Sequence, residues 1–114
     1  MELGGSDKDY IDIDDAIKRV GGNRGLYIKL LGRFIDGNHM DTLESAIQSG
    51  NMEEAANLAH TLKGVSANLS LAKVTSISTD LEQALKSGND HSAFFADLKL
   101  AYKTTADMIA EISG

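Results

Sequence analysis

Apolar residues recur at intervals of three or four positions along almost the whole of this 114-residue chain. That spacing gathers them on one face of an α-helix, because an α-helix has 3.6 residues per turn. No stretch of useful length alternates apolar and polar residues as a half-buried strand would. The chain also contains no proline that would interrupt a helix. The sequence therefore predicts an all-α fold.

Short polar segments divide the apolar pattern into separate helices. Asp12 is predicted to cap a short first helix that reaches about Val20, and Gly21-Gly22 to end it. Later caps are predicted at Asn23, at Asn51 with Glu54 in a capping-box pattern, and at Asp90. Residues 36–38 interrupt the pattern, which is compatible both with one helix that is kinked here and with two helices that meet.

Short connections make consecutive helices antiparallel neighbours. We therefore expect residues 11–114 to form a single domain, an antiparallel four-helix bundle with a short extra helix at its N-terminus. Residues 1–10 include Gly-Gly-Ser and are expected to be a flexible N-terminus or the remnant of an expression linker.

Composition excludes several classes of function. The net charge of −6 argues against partners that are polyanions, such as nucleic acids and anionic membranes. The absence of cysteine excludes a disulfide scaffold, a thiolate zinc site and a cysteine nucleophile. The absence of cysteine also agrees with a cytoplasmic location. No apolar run is long enough to span a membrane, and the N-terminus lacks the apolar region of a signal peptide. No phosphate-binding loop for ATP is present, and neither His39 nor His91 has the spacing of a metal site.

One predicted helix carries an unusual set of residues on its exposed face. His60 is rotated by about 200° from Leu58 and Leu62, which belong to the apolar stripe, so it should point away from the core. Lys63 and Gly64 follow one turn later on the same face. A glycine inside a helix costs roughly 1 kcal/mol of stability relative to alanine. A small residue at this position nevertheless suits a surface that another molecule approaches closely. The same face is predicted to include Ala56, Asn57 and Ala67. By periodicity alone, an ordinary exposed histidine is an equally good interpretation.

The segment Ala59 to Leu71, AHTLKGVSANLSL, resembles the signature of the histidine-containing phosphotransfer (Hpt) domain. That signature is roughly A-H-x-L-K-G, followed by small residues and then L-G. The stretch IDIDDAIKRVGGNRGLYIKLLGRF upstream and Asp80-Leu81-Glu82 downstream are also similar to the family, so the resemblance covers about Ile11 to Ser113. Ser70 stands where the family commonly has glycine. We expect this serine to cap the next helix, which would change the turn but not the activity.

The resemblance implies a role for each of four residues. His60 matches the phosphorylated histidine, Lys63 the lysine that offsets the phosphoryl charge, and Gly64 the glycine that keeps the approach open. Glu82 falls where relatives often carry a glutamine or glutamate that hydrogen-bonds the imidazole. The alternative for Glu82 is a solvated carboxylate that flanks the site.

The function implied by the resemblance is that of a phosphorelay carrier, which exchanges a phosphoryl group with an aspartate of a response-regulator receiver domain in two-component signal transduction. Such a domain is a monomeric phosphocarrier without an ATP site or a cofactor of its own, and Mg²⁺ is expected on the partner receiver domain. A hybrid sensor histidine kinase is a further expected partner. Two alternatives stay open: a helical interaction adaptor that is never phosphorylated, and the phosphoacceptor domain of a chemotaxis-type histidine kinase.

Overall fold

The computed structural model of the chain describes residue 11 and residues 13–113. The predictions for residues 1–10 and for the cap at Asp12 lie outside the described residues. Six α-helices account for most of the described part, and no described residue lies in a strand, which confirms the all-α class. The helices are α1 (Ile13–Arg19), α2 (Arg24–Asp36), α3 (His39–Gln48), α4 (Met52–Asn68), α5 (Ala72–Ser87) and α6 (Ser92–Ser113).

The predicted caps at Asn23 and Asn51 are confirmed. The side-chain oxygen of Asn23 accepts a hydrogen bond from the backbone N–H of Leu26, and Asn51 accepts one from Glu54 in the same way. Asp90 accepts from the N–H of Ser92, but the predicted cap lies one residue too early, because the N–H of Phe95 donates to the carbonyl of His91, which therefore holds the cap position of α6. The capping box is only half formed, however, because the N–H of Asn51 donates to the carbonyl of Ala46. Each bond satisfies an N–H that has no partner inside the first turn of its helix.

The interruption at residues 36–38 separates two helices. Asn38 adopts a left-handed conformation, with φ of 56°, between the end of α2 and the start of α3. Asparagine tolerates this region better than most residues. Because α2 and α3 are separate helices, the apolar pattern restarts here in a new phase.

Ser70 does not cap α5, contrary to our expectation. It lies in the left-handed region with φ of 59°, its N–H donates to the carbonyl of Ala67, and the N–H of Leu71 donates to the carbonyl of Ser66. These two bonds form a Schellman motif that ends α4. The cap position of α5 is Leu71, which has no side chain able to accept a hydrogen bond. The serine hydroxyl donates instead to Asp15, at 3.3 Å.

Helices α4 and α5 share the most extensive contact among the described helices. The Ser66 hydroxyl lies 2.7 Å from that of Thr75 near their connection, and His60 contacts Glu82 further away, so the two helices run antiparallel. Helix α3 packs on α4, while α5 and α2 pack on α6. None of the described helices is long and apolar enough to cross a membrane.

Candidate functional site

His60 lies on the exposed face of α4, as its position relative to the apolar stripe predicts. Its side chain is 65% exposed, whereas Leu62 is buried and Leu58 is partly buried. Asn57 and Ala67 are exposed as well, but the placement of Ala56 on this face is wrong, because Ala56 is buried in the core. Since α4 packs on both α3 and α5, its buried surface is wider than a single stripe.

Gly64 is exposed one turn after His60. A Cβ atom added at this position would meet nothing within 4 Å, so no neighbouring helix requires a glycine here. The intrinsic preference of a helix would favour alanine. Packing and backbone geometry therefore give no reason for this glycine.

Glu82 is buried on α5, and this excludes the alternative of a solvated carboxylate. Its side chain is 6% exposed, and its Oε2 and Oε1 atoms lie 3.1 and 3.3 Å from Nδ1 of His60. A ring nitrogen that faces a carboxylate carries the proton and donates it in the hydrogen bond. The lone pair of the neutral imidazole is then on Nε2.

Two lysines also contact the Glu82 carboxylate. Nζ of Lys63 lies 3.2 Å from Oε1, and Nζ of Lys86 lies 2.7 Å from Oε2. Our reading of the sequence missed Lys86, although its position four residues after Glu82 is the spacing at which oppositely charged side chains meet on one helix.

The lysines determine the charge of Glu82. The hydrogen bond from Lys86 is the main cause that lowers the pKa of Glu82 from 4.5 to about 2, and the hydrogen bond from Lys63 adds to it. Burial opposes these effects because it disfavours the ionised form. Glu82 is therefore a carboxylate at neutral pH, and it accepts hydrogen bonds from His60 and both lysines.

The described residues contain no group of three or more histidine, cysteine or acidic side chains that could hold a metal ion. The ring of His39 lies against that of Phe34 in a tilted arrangement, with ring centroids 5.2 Å apart, and burial lowers the pKa of His39. The groups around His60 suit nucleophilic attack by its exposed ring nitrogen. The buried carboxylate orients the ring, and two lysine cations lie beside that carboxylate.

Comparison with known families gives a match over most of the chain. The family model of the Hpt domain matches residues 30–113, which include α3 to α6 and the four residues of the site. Residues 11–29, to which the resemblance in the sequence also extends, lie outside this match. No curated protein and no solved structure matches the chain.

Proposed function

The chain belongs to the Hpt domain family, and from this premise we propose that it carries a phosphoryl group on Nε2 of His60. Membership of the family implies histidine phosphotransfer in phosphorelay signalling. The observation that supports His60 as the acceptor is the hydrogen bond between its Nδ1 and the buried carboxylate of Glu82, made by a ring that is otherwise exposed.

The proposed step begins with Nε2 of His60 facing the phosphorus of an aspartyl phosphate on a receiver domain. The Nε2 lone pair forms a bond to phosphorus while the bond from phosphorus to the aspartate oxygen breaks, and the aspartate leaves as a carboxylate. The reverse step returns the phosphoryl group to an aspartate. Little covalent chemistry is required of the protein in such a transfer, so position and charge make the main contributions.

Glu82 contributes to this step through the second ring nitrogen. Once Nε2 is bonded to phosphorus, an imidazole that keeps its Nδ1 proton has a positive ring. The carboxylate 3.1 Å away stabilises that charge and holds the ring in one orientation. Lys63 supplies a cation for the phosphoryl oxygens, and Gly64 leaves space for the partner to approach.

We further propose that the domain has no ATP site or cofactor of its own and acts as a monomer in the cytoplasm. The receiver domain would supply the Mg²⁺ that offsets the charge of the transferring group, and a hybrid sensor histidine kinase would be a further partner.

For the fold, we propose that α2 and α3 together form one side of an antiparallel four-helix bundle with α4, α5 and α6. In this arrangement α1 is the extra N-terminal helix.

Phosphotransfer from a set of phosphorylated receiver domains tests the function. We expect an acid-labile, base-stable phosphate on the wild-type chain and none on the variant His60→Gln. Because His60 is exposed, this variant should keep the melting temperature of the parent to within a few degrees, the range typical of surface substitutions. The matched control is His91→Gln, a histidine that makes no contact with Glu82, which should accept phosphate normally.

The outcomes separate the alternatives. Label that persists in the His60→Gln variant would contradict the assignment of His60. If neither the receivers that phosphorylate another Hpt domain nor the ATP-binding domain of a kinase labels this chain, the chain is an interaction adaptor. Phosphorylation by the ATP-binding domain of a kinase, with none from receivers, would identify the phosphoacceptor domain of a chemotaxis-type kinase.

A further inference from the structure

The carboxylate of Glu82 is held by two lysines that differ in position and exposure. Lys63 lies on α4, on the same helix as His60, and its side chain is 32% exposed. Lys86 lies on α5, one turn after Glu82, and is 62% exposed. Each lysine contacts a different carboxylate oxygen, Lys63 at 3.2 Å and Lys86 at 2.7 Å.

The charges of this cluster are unequal before phosphorylation. Glu82 contributes one negative charge and the lysines two positive charges, while a neutral imidazole contributes none. Transfer of a phosphoryl group to Nε2, with the Nδ1 proton retained, adds one net negative charge. Before phosphorylation the two lysines therefore share the single negative charge of Glu82, and the phosphoryl group supplies a further negative partner.

The geometry indicates which lysine is free to change partner. Lys63 follows His60 by three residues, so the two side chains are neighbours on one helix face, and its contact with Glu82 is the longer of the two. Lys86 makes the shorter contact, from the helix that carries Glu82 itself. A buried carboxylate is destabilised when it loses cations. When Lys63 leaves Glu82, Lys86 stays beside the positive ring of phosphorylated His60 and limits that loss.

On the basis of the function proposed above, we propose that Lys86 is a positioning residue, which retains Glu82 on Nδ1 of His60 and thereby allows Lys63 to move to the phosphoryl group. Lys86 acts through Glu82 and needs no contact with the phosphoryl oxygens. Without Lys86, Lys63 remains paired with Glu82, and the phosphoryl group loses its cation.

The first test follows the two ammonium groups directly. Phosphoramidate phosphorylates the isolated chain without any receiver: Nε2 of His60 bonds to phosphorus while the P–N bond of the reagent breaks and ammonia leaves. The ¹⁵Nζ resonances of the lysines, assigned with the variants Lys63→Met and Lys86→Met, are recorded before and after the reaction. We expect phosphorylation to shift the Lys63 resonance and to leave that of Lys86 in place.

The variants make the dependence on Lys86 testable. In the Lys86→Met variant the Lys63 resonance should no longer shift on phosphorylation, and Lys86→Arg should restore the shift. The matched control is Lys103→Met, which removes an exposed ion pair of the same four-residue spacing, with Asp107 on α6. The proposal is overturned if Lys63 shifts equally in the Lys86→Met variant, if Lys86 shifts in its place, or if phosphoramidate does not label His60.

Transfer rates from a phosphorylated receiver give a second readout. Lys63→Met and Lys86→Met should each slow transfer about tenfold, the size expected when one charge-assisted hydrogen bond is lost. The double variant should be no slower than either single variant. In a Glu82→Gln background Lys63 has no carboxylate to hold it, so Lys86→Met should have no further effect. Additive losses in that background would overturn the proposal, because they would indicate that Lys86 contacts the phosphoryl group or the receiver directly.

The two readouts also separate this inference from the proposed function. If no receiver transfers phosphate to the wild-type chain, the proposed function fails, while the lysine resonances after treatment with phosphoramidate still decide the role of Lys86. If receivers transfer normally and the resonances do not behave as expected, the role of Lys86 fails alone.

Discussion

Gly64 is the residue at which stability and function should separate most clearly. It is exposed within α4, and an added Cβ would have open space around it. In an α-helix the bond from Cα to Cβ tilts toward the N-terminus, so a side chain at position 64 would extend toward His60, four residues earlier. A larger side chain with good helix propensity therefore stabilises the helix locally, but it also extends over the exposed face of His60.

The size of the stability effect follows from this environment. Because no contact is gained or lost, Gly64→Ala should increase the free energy of unfolding by the difference in helix propensity, roughly 1 kcal/mol. For a domain of this length that corresponds to a rise in melting temperature of about 4 °C. Gly64→Gln and Gly64→Leu should stabilise the helix by somewhat less. We expect the transfer rate to fall as the side chain grows, with a loss of at least about tenfold for leucine, or about 1.4 kcal/mol in the barrier.

Melting followed by circular dichroism and transfer from a phosphorylated receiver should be measured on the same preparations of all three variants. The matched control is Gly32, which is also exposed within a helix, α2, with open space around an added Cβ. Gly32→Leu should raise stability in the same way and leave transfer unchanged. A Gly64→Leu variant that transfers at the parent rate would refute the argument from access. A variant that unfolds would show that position 64 is packed against a neighbour.

Three further predictions concern the site and the end of its helix. Lys63→Ala should slow transfer about tenfold and leave the fold intact; unaltered rates in both directions would remove Lys63 from the site. Ser70→Gly should raise the free energy of unfolding by about 1 kcal/mol in a denaturant titration, because glycine adopts a left-handed conformation without the cost that serine bears. Because Glu82 has a folded-state pKa of about 2 and an ordinary value of 4.5, its stabilising contribution is complete above pH 4.5 and is lost as the pH falls toward 2. Chemical unfolding between pH 5 and 2 should therefore show a steeper loss of stability for the parent than for Glu82→Gln, and equal slopes would contradict the shifted pKa.

The helix boundaries could be predicted because they depend on local interactions. An asparagine or aspartate that accepts an N–H two or three residues later needs only its own segment of chain, and this holds at Asn23, Asn51 and Asp90. Ser70 was misjudged for a related reason. A serine beside a helix start usually signals a cap, but its left-handed conformation is set by the hydrogen bonds that end α4, and Asp15 on a distant segment accepts from its hydroxyl.

The site could be predicted only where a single helix determines it. The exposure of His60 and Gly64 follows from their angles relative to the stripe on α4. The burial of Ala56 and Glu82 depends on how α4 packs against its neighbours, which periodicity within one helix does not specify. For Glu82 only the resemblance to the family gave a reason to look at α5. Lys86 could have been noted from its spacing, but a pair of opposite charges four residues apart is common on helix surfaces and does not by itself indicate a site.

The connection between α4 and α5 therefore matters for the site as well as for the fold. The Schellman motif at Ser70 and the hydrogen bond between Ser66 and Thr75 fix where α5 starts relative to α4. That register brings Glu82 opposite His60. One additional residue in α5 before Glu82 would rotate the carboxylate by about 100° around the helix axis and carry it away from Nδ1. The contact between the exposed nucleophile and its buried hydrogen-bond partner thus depends on the turn that connects α4 and α5. The backbone hydrogen bonds of this turn hold Ser70 in its left-handed conformation, and they maintain the register of the two helices.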